Sequence, residues 1–179
     1  MHKRTDLTQS RIIQVQTQLA EKAQDHVNDI LSLFSHEVRQ PAIRLAPSVL
    51  PIQMVWVFAS KDNQLEMSDD QAEGWMYSIP EDVMQIRATF NQAIFEAPGH
   101  LSHEYLESII EYACNVALSR AILLQEMPIF AQHLAYLADR SVDMIEQSCA
   151  NGEIRGQQHE ESWVIYPKDA KNYLKSIGY

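Results

Sequence analysis

Apolar residues recur at helical spacing along most of this chain. From residue 6 to about 40, Ile12, Leu19 and Leu33 share one heptad column, and Ala23 and Ile30 share the facing one. Val15, Val27, Phe34 and Val38 widen the stripe, and no Gly or Pro interrupts it before Pro41. The pattern predicts one long first helix, of a kind that pairs with another helix in the same chain or in a second copy. Residues 42–51 form a connector bounded by Pro41, Pro47 and Pro51. The run Ile52-Gln-Met-Val-Trp-Val-Phe-Ala59 is β-branched and aromatic, and it fits a buried strand or a short core helix equally well. Lys61-Asp-Asn signals a turn. Ser68-Asp-Asp-Gln71 is a capping-box start for a short helix carrying Trp75 and Met76. Ile79-Pro80 opens another helix, with Val83, Ile86, Phe90 and Ile94 inward, that stops at Ala97-Pro-Gly99. Ser102 caps the next, whose buried set is Tyr105, Leu106, Ile109, Ile110, Ala113, Val116, Ala117 and Leu118. Met127-Pro128 marks a hinge, dividing the chain into a helical region, 1–126, and a smaller unit, 127–179.

The smaller unit carries a boundary signal at almost every junction. Ala131, Leu134, Ala135 and Ala138 predict a short amphipathic helix. Ser141 is a good N-cap for a second helix and Gly152 a good stop, about three turns apart. Trp163-Val-Ile-Tyr reads as a strand, and Ile154 begins the segment that pairs with it. Pro167-Lys-Asp opens a last helix that turns Tyr173 and Leu174 inward.

Helix, tight turn, helix, two-stranded wing, helix resembles the excisionase and MerR-like family of small DNA-binding modules. The resemblance rests on Ala135, Leu137, Ser141, Ile145, Gly152, Ile154, Trp163, Ile165, Pro167, Asp169, Tyr173 and Leu174, and it covers under a third of the chain. It implies a winged helix-turn-helix whose second helix, Val142 to Asn151, enters the major groove, with the wing, Gly156 to Ser162, beside it. Arg140, Ser141, Arg155, Lys168, Lys171 and Lys175 are then the candidate phosphate contacts. The sequence departs from the family pattern by placing Asp143 and Glu146 on the reading helix and Gln157-Gln-His-Glu-Glu161 in the wing.

Charge sharpens that departure. The chain carries a net charge of −10, and its last 55 residues hold five Lys and Arg against eight Asp and Glu. Phosphate neutralisation supplies most non-specific DNA affinity, so an acidic face weighs against DNA and permits a basic protein partner. Two functions therefore stand nearly level: a regulatory DNA-binding protein, and an acidic protein-interaction module, imitating the charge of DNA, on the same scaffold. No apolar run approaches the roughly 18 residues that cross a bilayer, and the polar start predicts no signal peptide. Cys114 and Cys149 stand apart in helical contexts as reduced core thiols, which places the protein in the cytoplasm.

A second, local resemblance lies at Phe34-Ser35-His36-Glu37-Val38-Arg39-Gln40-Pro41, which looks like the phosphoacceptor box of sensor histidine kinases. It implies a phosphorylated His36 with Glu37 orienting its ring. Five glycines in the whole chain leave no glycine-rich ATP lid, so the resemblance extends at most to a phosphotransfer module. His100 and His103 sit at the start of a helix without a completing ligand set. With no Walker loop, dinucleotide fingerprint or nucleophile elbow, the expectation is a mainly α, non-enzymatic protein without cofactor or metal. Its first helix is expected to serve a homodimer or a protein partner.

Overall fold

The computed structural model describes residues 2–18, 21, 52–60, 69–92 and 103–179. The molecule is mainly helical, with a small three-stranded antiparallel sheet near its C-terminus. Residues 9–18 belong to helix α1, preceded by a 3-10 turn at Arg4–Asp6. Leu7, Ile12 and Val15 are buried, as the periodicity requires. The remainder of the expected long helix, the His36 box, the proline-bounded connector, the Lys61 turn, Ile94, the Ala97-Pro-Gly99 stop, His100 and Ser102 lie outside the described residues.

The ambiguous apolar run is a helix, α2 (Ile52–Ala59). Ile52, Val55, Trp56, Phe58 and Ala59 are buried, and a helix apolar at every position but Gln53 belongs in a core. Inside a core the backbone must satisfy itself, and a helix does so without a partner strand. Its C-terminal carbonyls are reached from elsewhere in the chain. Arg120 Nη1 donates to Phe58 O at 2.8 Å, and Arg4 Nε donates to Ala59 O at 2.9 Å. Cations at this end also complement the helix dipole. Trp56 Nε1 donates to Thr8 O, and Ser60 Oγ donates to Leu7 O, which fixes α2 against the N-terminal segment.

Helix α3 (Asp69–Trp75) turns through Met76 into α4 (Ile79–Gln92), where Val83 and Ile86 face inward. Helix α5 (His103–Leu124) is the central element and packs against both α2 and α4. It buries Ile109, Ile110, Ala113, Val116 and Ala117 as expected, while Tyr105 and Leu118 are half-buried. Arg87 of α4 grips Glu111 of α5 through two nitrogens and also reaches Asn115.

Beyond Glu126, which adopts the left-handed region at φ 55°, strand β1 (Ile129–Phe130) leads into α6 (Ala131–Ala138). Helix α7 (Val142–Ala150), strands β2 (Gly156–His159) and β3 (Ser162–Ile165), and helix α8 (Pro167–Ser176) follow. The strand order is β1-β3-β2, with Ile165 opposite both Ile129 and Gly156. The expected two-stranded ribbon is thus a three-stranded sheet. Ile129-Phe130 was too short to carry a strand pattern of its own, and β3 supplies its hydrogen bonds. Ile154 does not begin the second strand. It is buried two residues ahead of it, where it anchors the end of α7 to the core.

Gly156 opens the strand because β3 passes so close. A Cβ there would lie 3.1 Å from Val164 O and 3.3 Å from the Trp163 ring. Trp163 and Tyr173 are half-buried against the core, and Leu174 is fully inside. That core runs without a break from Leu7 to Leu174, and α5 packs on both α6 and β1, so the regions to either side of residue 126 share it.

A candidate interaction face on helix α7 and the hairpin

Helix α7 begins where the sequence says. Ser141 is extended, at φ −74° and ψ 154°, and its Oγ accepts from Met144 N. The helix ends in a Schellman arrangement. Gly152, at φ 78°, donates to Cys149 O, and Glu153 N donates to Ser148 O at 2.9 Å. Ser148 Oγ then donates to the Glu153 carboxylate at 2.8 Å, where this motif more often has an apolar contact. Ile145 and Cys149 point inward against α6 and β3.

The opposite face is open. Val142 is 37% exposed and Met144 48%, flanked by exposed Asp143 and Gln147 and half-buried Glu146. The hairpin beside it exposes Gln157, Gln158, His159, Glu160 and Glu161. Between residues 140 and 162 there are two arginines, Arg140 and Arg155, against five carboxylates. Both arginines are exposed and bracket the two ends of α7.

The other cations lie on a different element. Lys168, Lys171 and Lys175 are spaced i, i+3, i+7 and form an exposed stripe along α8, which packs on α6. Lys171 is ion-paired to Glu126, just past the end of α5. The structure therefore brings Arg140 together with Ser141 at one end of α7 and gathers the three lysines elsewhere.

Burial pushes the Cys149 thiol up, and burial pushes Cys114 up to about 12, so neither is a thiolate at neutral pH. Burial lowers the His133 imidazole, whose Nδ1 accepts from Phe130 N at the start of α6. Among the described residues no group of three His, Cys, Asp or Glu could hold a metal ion, and no helix is long and apolar enough to cross a membrane.

The residue that sequence reasoning missed is Asp139. It ends α6 in the left-handed region, at φ 53° and ψ 42°, and sits in the turn before α7. Its Oδ1 accepts from Tyr112 OH at 2.7 Å and from Arg4 N at 2.8 Å. An Asp one residue past a helical stripe is compatible with that conformation, but its partners lie 27 and 135 positions away, beyond any local pattern. Comparison of the chain with protein-family models, curated proteins and solved structures found no match.

Proposed function

We propose that residues 127–179 form a winged helix-turn-helix of the excisionase and MerR-like kind, and that this chain is a non-enzymatic cytoplasmic regulator acting through it. The order of α6, α7, hairpin and α8, with Ser141 and Gly152 at the two ends of α7, supports that scaffold. The occupant of its open face is a basic protein segment. One observation carries this: two arginines stand against five carboxylates on α7 and the hairpin, around an exposed Val142 and Met144. A duplex would meet net repulsion there, whereas a Lys- and Arg-rich segment with apolar contacts would gain both terms.

DNA binding is the second reading. Exposed Arg140 before α7 and Arg155 after it, with Ser141 as the helix N-cap, support this reading as phosphate contacts flanking a groove-reading helix. Histidine phosphotransfer through His36 and Glu37, and pairing of two copies through the first helix, rest on residues outside the described set and remain expectations from the sequence.

Fluorescence anisotropy separates the two readings. At low salt the full chain is expected to leave labelled duplex DNA unbound and to bind a labelled Lys- and Arg-rich peptide. That peptide binding should weaken with added salt and fall about tenfold in the Asp143→Lys, Glu146→Lys double variant. Salt-sensitive duplex binding that disappears in Arg140→Ala, Arg155→Ala would reverse the assignment.

A further inference from the structure

The N-terminal segment is bound in a way that its own sequence does not explain. Arg4 is 3% exposed. Its guanidinium donates to Ala59 O and Ser60 O at the end of α2, and the Tyr179 ring lies 4.5 Å from it. Its Nη1 is buried without a hydrogen-bond partner. Its backbone N–H donates to Asp139 Oδ1, the same oxygen that accepts from Tyr112 OH. Two residues earlier, the His2 ring is hydrogen-bonded to Ser108 of α5 at 2.7 Å and lies edge-on to Tyr105. Three residues later, Leu7 is fully buried and its carbonyl holds Ser60 Oγ. The segment thus touches α2, α5, the α6–α7 turn and Tyr179, three residues past α8.

We propose that residues 2–7 are a strap that latches the α6–α7 turn to the helical region through Asp139, so that release of the strap and loosening of α7 are one event. Asp139 is the last left-handed residue before the segment that presents Ser141, and α7 takes its direction from that turn. Two donors from outside the module converge on this one carboxylate oxygen. An event that detaches the strap removes one of them and withdraws Arg4 from α2 and Tyr179 together. By linkage, a partner that requires a displaced α7 would favour the detached strap to the same degree, and the reverse also holds. The latch operates whichever partner α7 takes.

Hydrogen exchange on the full chain tests this, because one substitution separates the carboxylate from the backbone that carries it. Asp139→Gly removes the acceptor yet suits the left-handed conformation better than Asp does. Asp139→Asn keeps both an acceptor oxygen and tolerance of that conformation. The expected result is exchange about tenfold faster in Asp139→Gly at residues 2–7 and at residues 139–146 alike, with Asp139→Asn close to the native protein. If Asp139→Gly does not fold, Tyr112→Phe is expected to give the same paired pattern more weakly. Faster exchange confined to residues 2–7, with 139–146 unchanged or better protected, would make the segment a passenger and overturn the proposal. So would no change in either segment.

Discussion

At the residue scale, the clearest contributions are end-of-helix hydrogen bonds. Ser141 satisfies a donor at the start of α7 that would otherwise be orphaned, and Ser141→Ala is expected to cost about 1 kcal/mol in a urea titration. His133 does the equivalent job at α6 in the opposite direction, its ring nitrogen accepting from the backbone of Phe130. Protonation would put a hydrogen on that nitrogen, and burial already lowers the group's affinity for a proton below the ordinary 6.5. The folded state therefore binds fewer protons than the unfolded chain. The contribution is complete above about pH 6.5 and is lost as pH falls through the folded value. Gln at that position accepts without titrating. His133→Gln is expected to show a shallower fall in Tm than the native protein between pH 7.5 and 5. Parallel curves would show that the ring does not act as this cap.

At the element scale, what the sequence reveals depends on whether an element carries its own boundary. Ser141, Gly152 and Pro167 each mark an end by local stereochemistry, so α7 and α8 are legible residue by residue. Helix α2 is not, because seven apolar residues out of eight leave no clear period and its identity follows from what surrounds it. Strand β1 is two residues long and exists through its pairing with β3. The candidate site divides in the same way. Its acidic character is written in Asp143, Glu146 and the hairpin. The packing of lysine-bearing α8 on α6, and the ion pair from Lys171 to Glu126, need the fold to be seen. Two glycine substitutions test the local logic with opposite signs. Gly152 is left-handed with open space around it, so Gly152→Ala should destabilise by about 1 kcal/mol for conformational reasons alone. Gly74 lies inside α3, also with open space, and Gly74→Ala should stabilise by about 0.5–1 kcal/mol. Thermal or urea unfolding of the pair would check both.

At the scale of the whole molecule, α5 is the element through which the parts meet. It packs on α2 and α4 to one side and on α6 and β1 to the other, and Tyr112 extends from it to Asp139. The Glu126–Lys171 pair adds an exposed tie past its end, of a kind worth at most about 1 kcal/mol. Stability is therefore expected to be shared across residue 126. Tyr112→Phe, made well outside the last 53 residues, should lower the unfolding midpoint followed at Trp163 as much as the midpoint followed at Trp56. Separate midpoints for the two tryptophans would mean that the junction transmits little.

The two arginines at the end of α2 also set an order of events during synthesis. Arg4 leaves the ribosome before the greasy octamer it serves, whereas Arg120 follows Phe58 by 62 positions. For that interval the nascent chain carries an unfinished apolar rod whose Phe58 carbonyl has only water to hold it. A chain halted ahead of Arg120 is accordingly expected in the insoluble fraction of an expressing cell, and one extended through Leu124 in the soluble fraction. The length at which solubility appears would date the completion of the core.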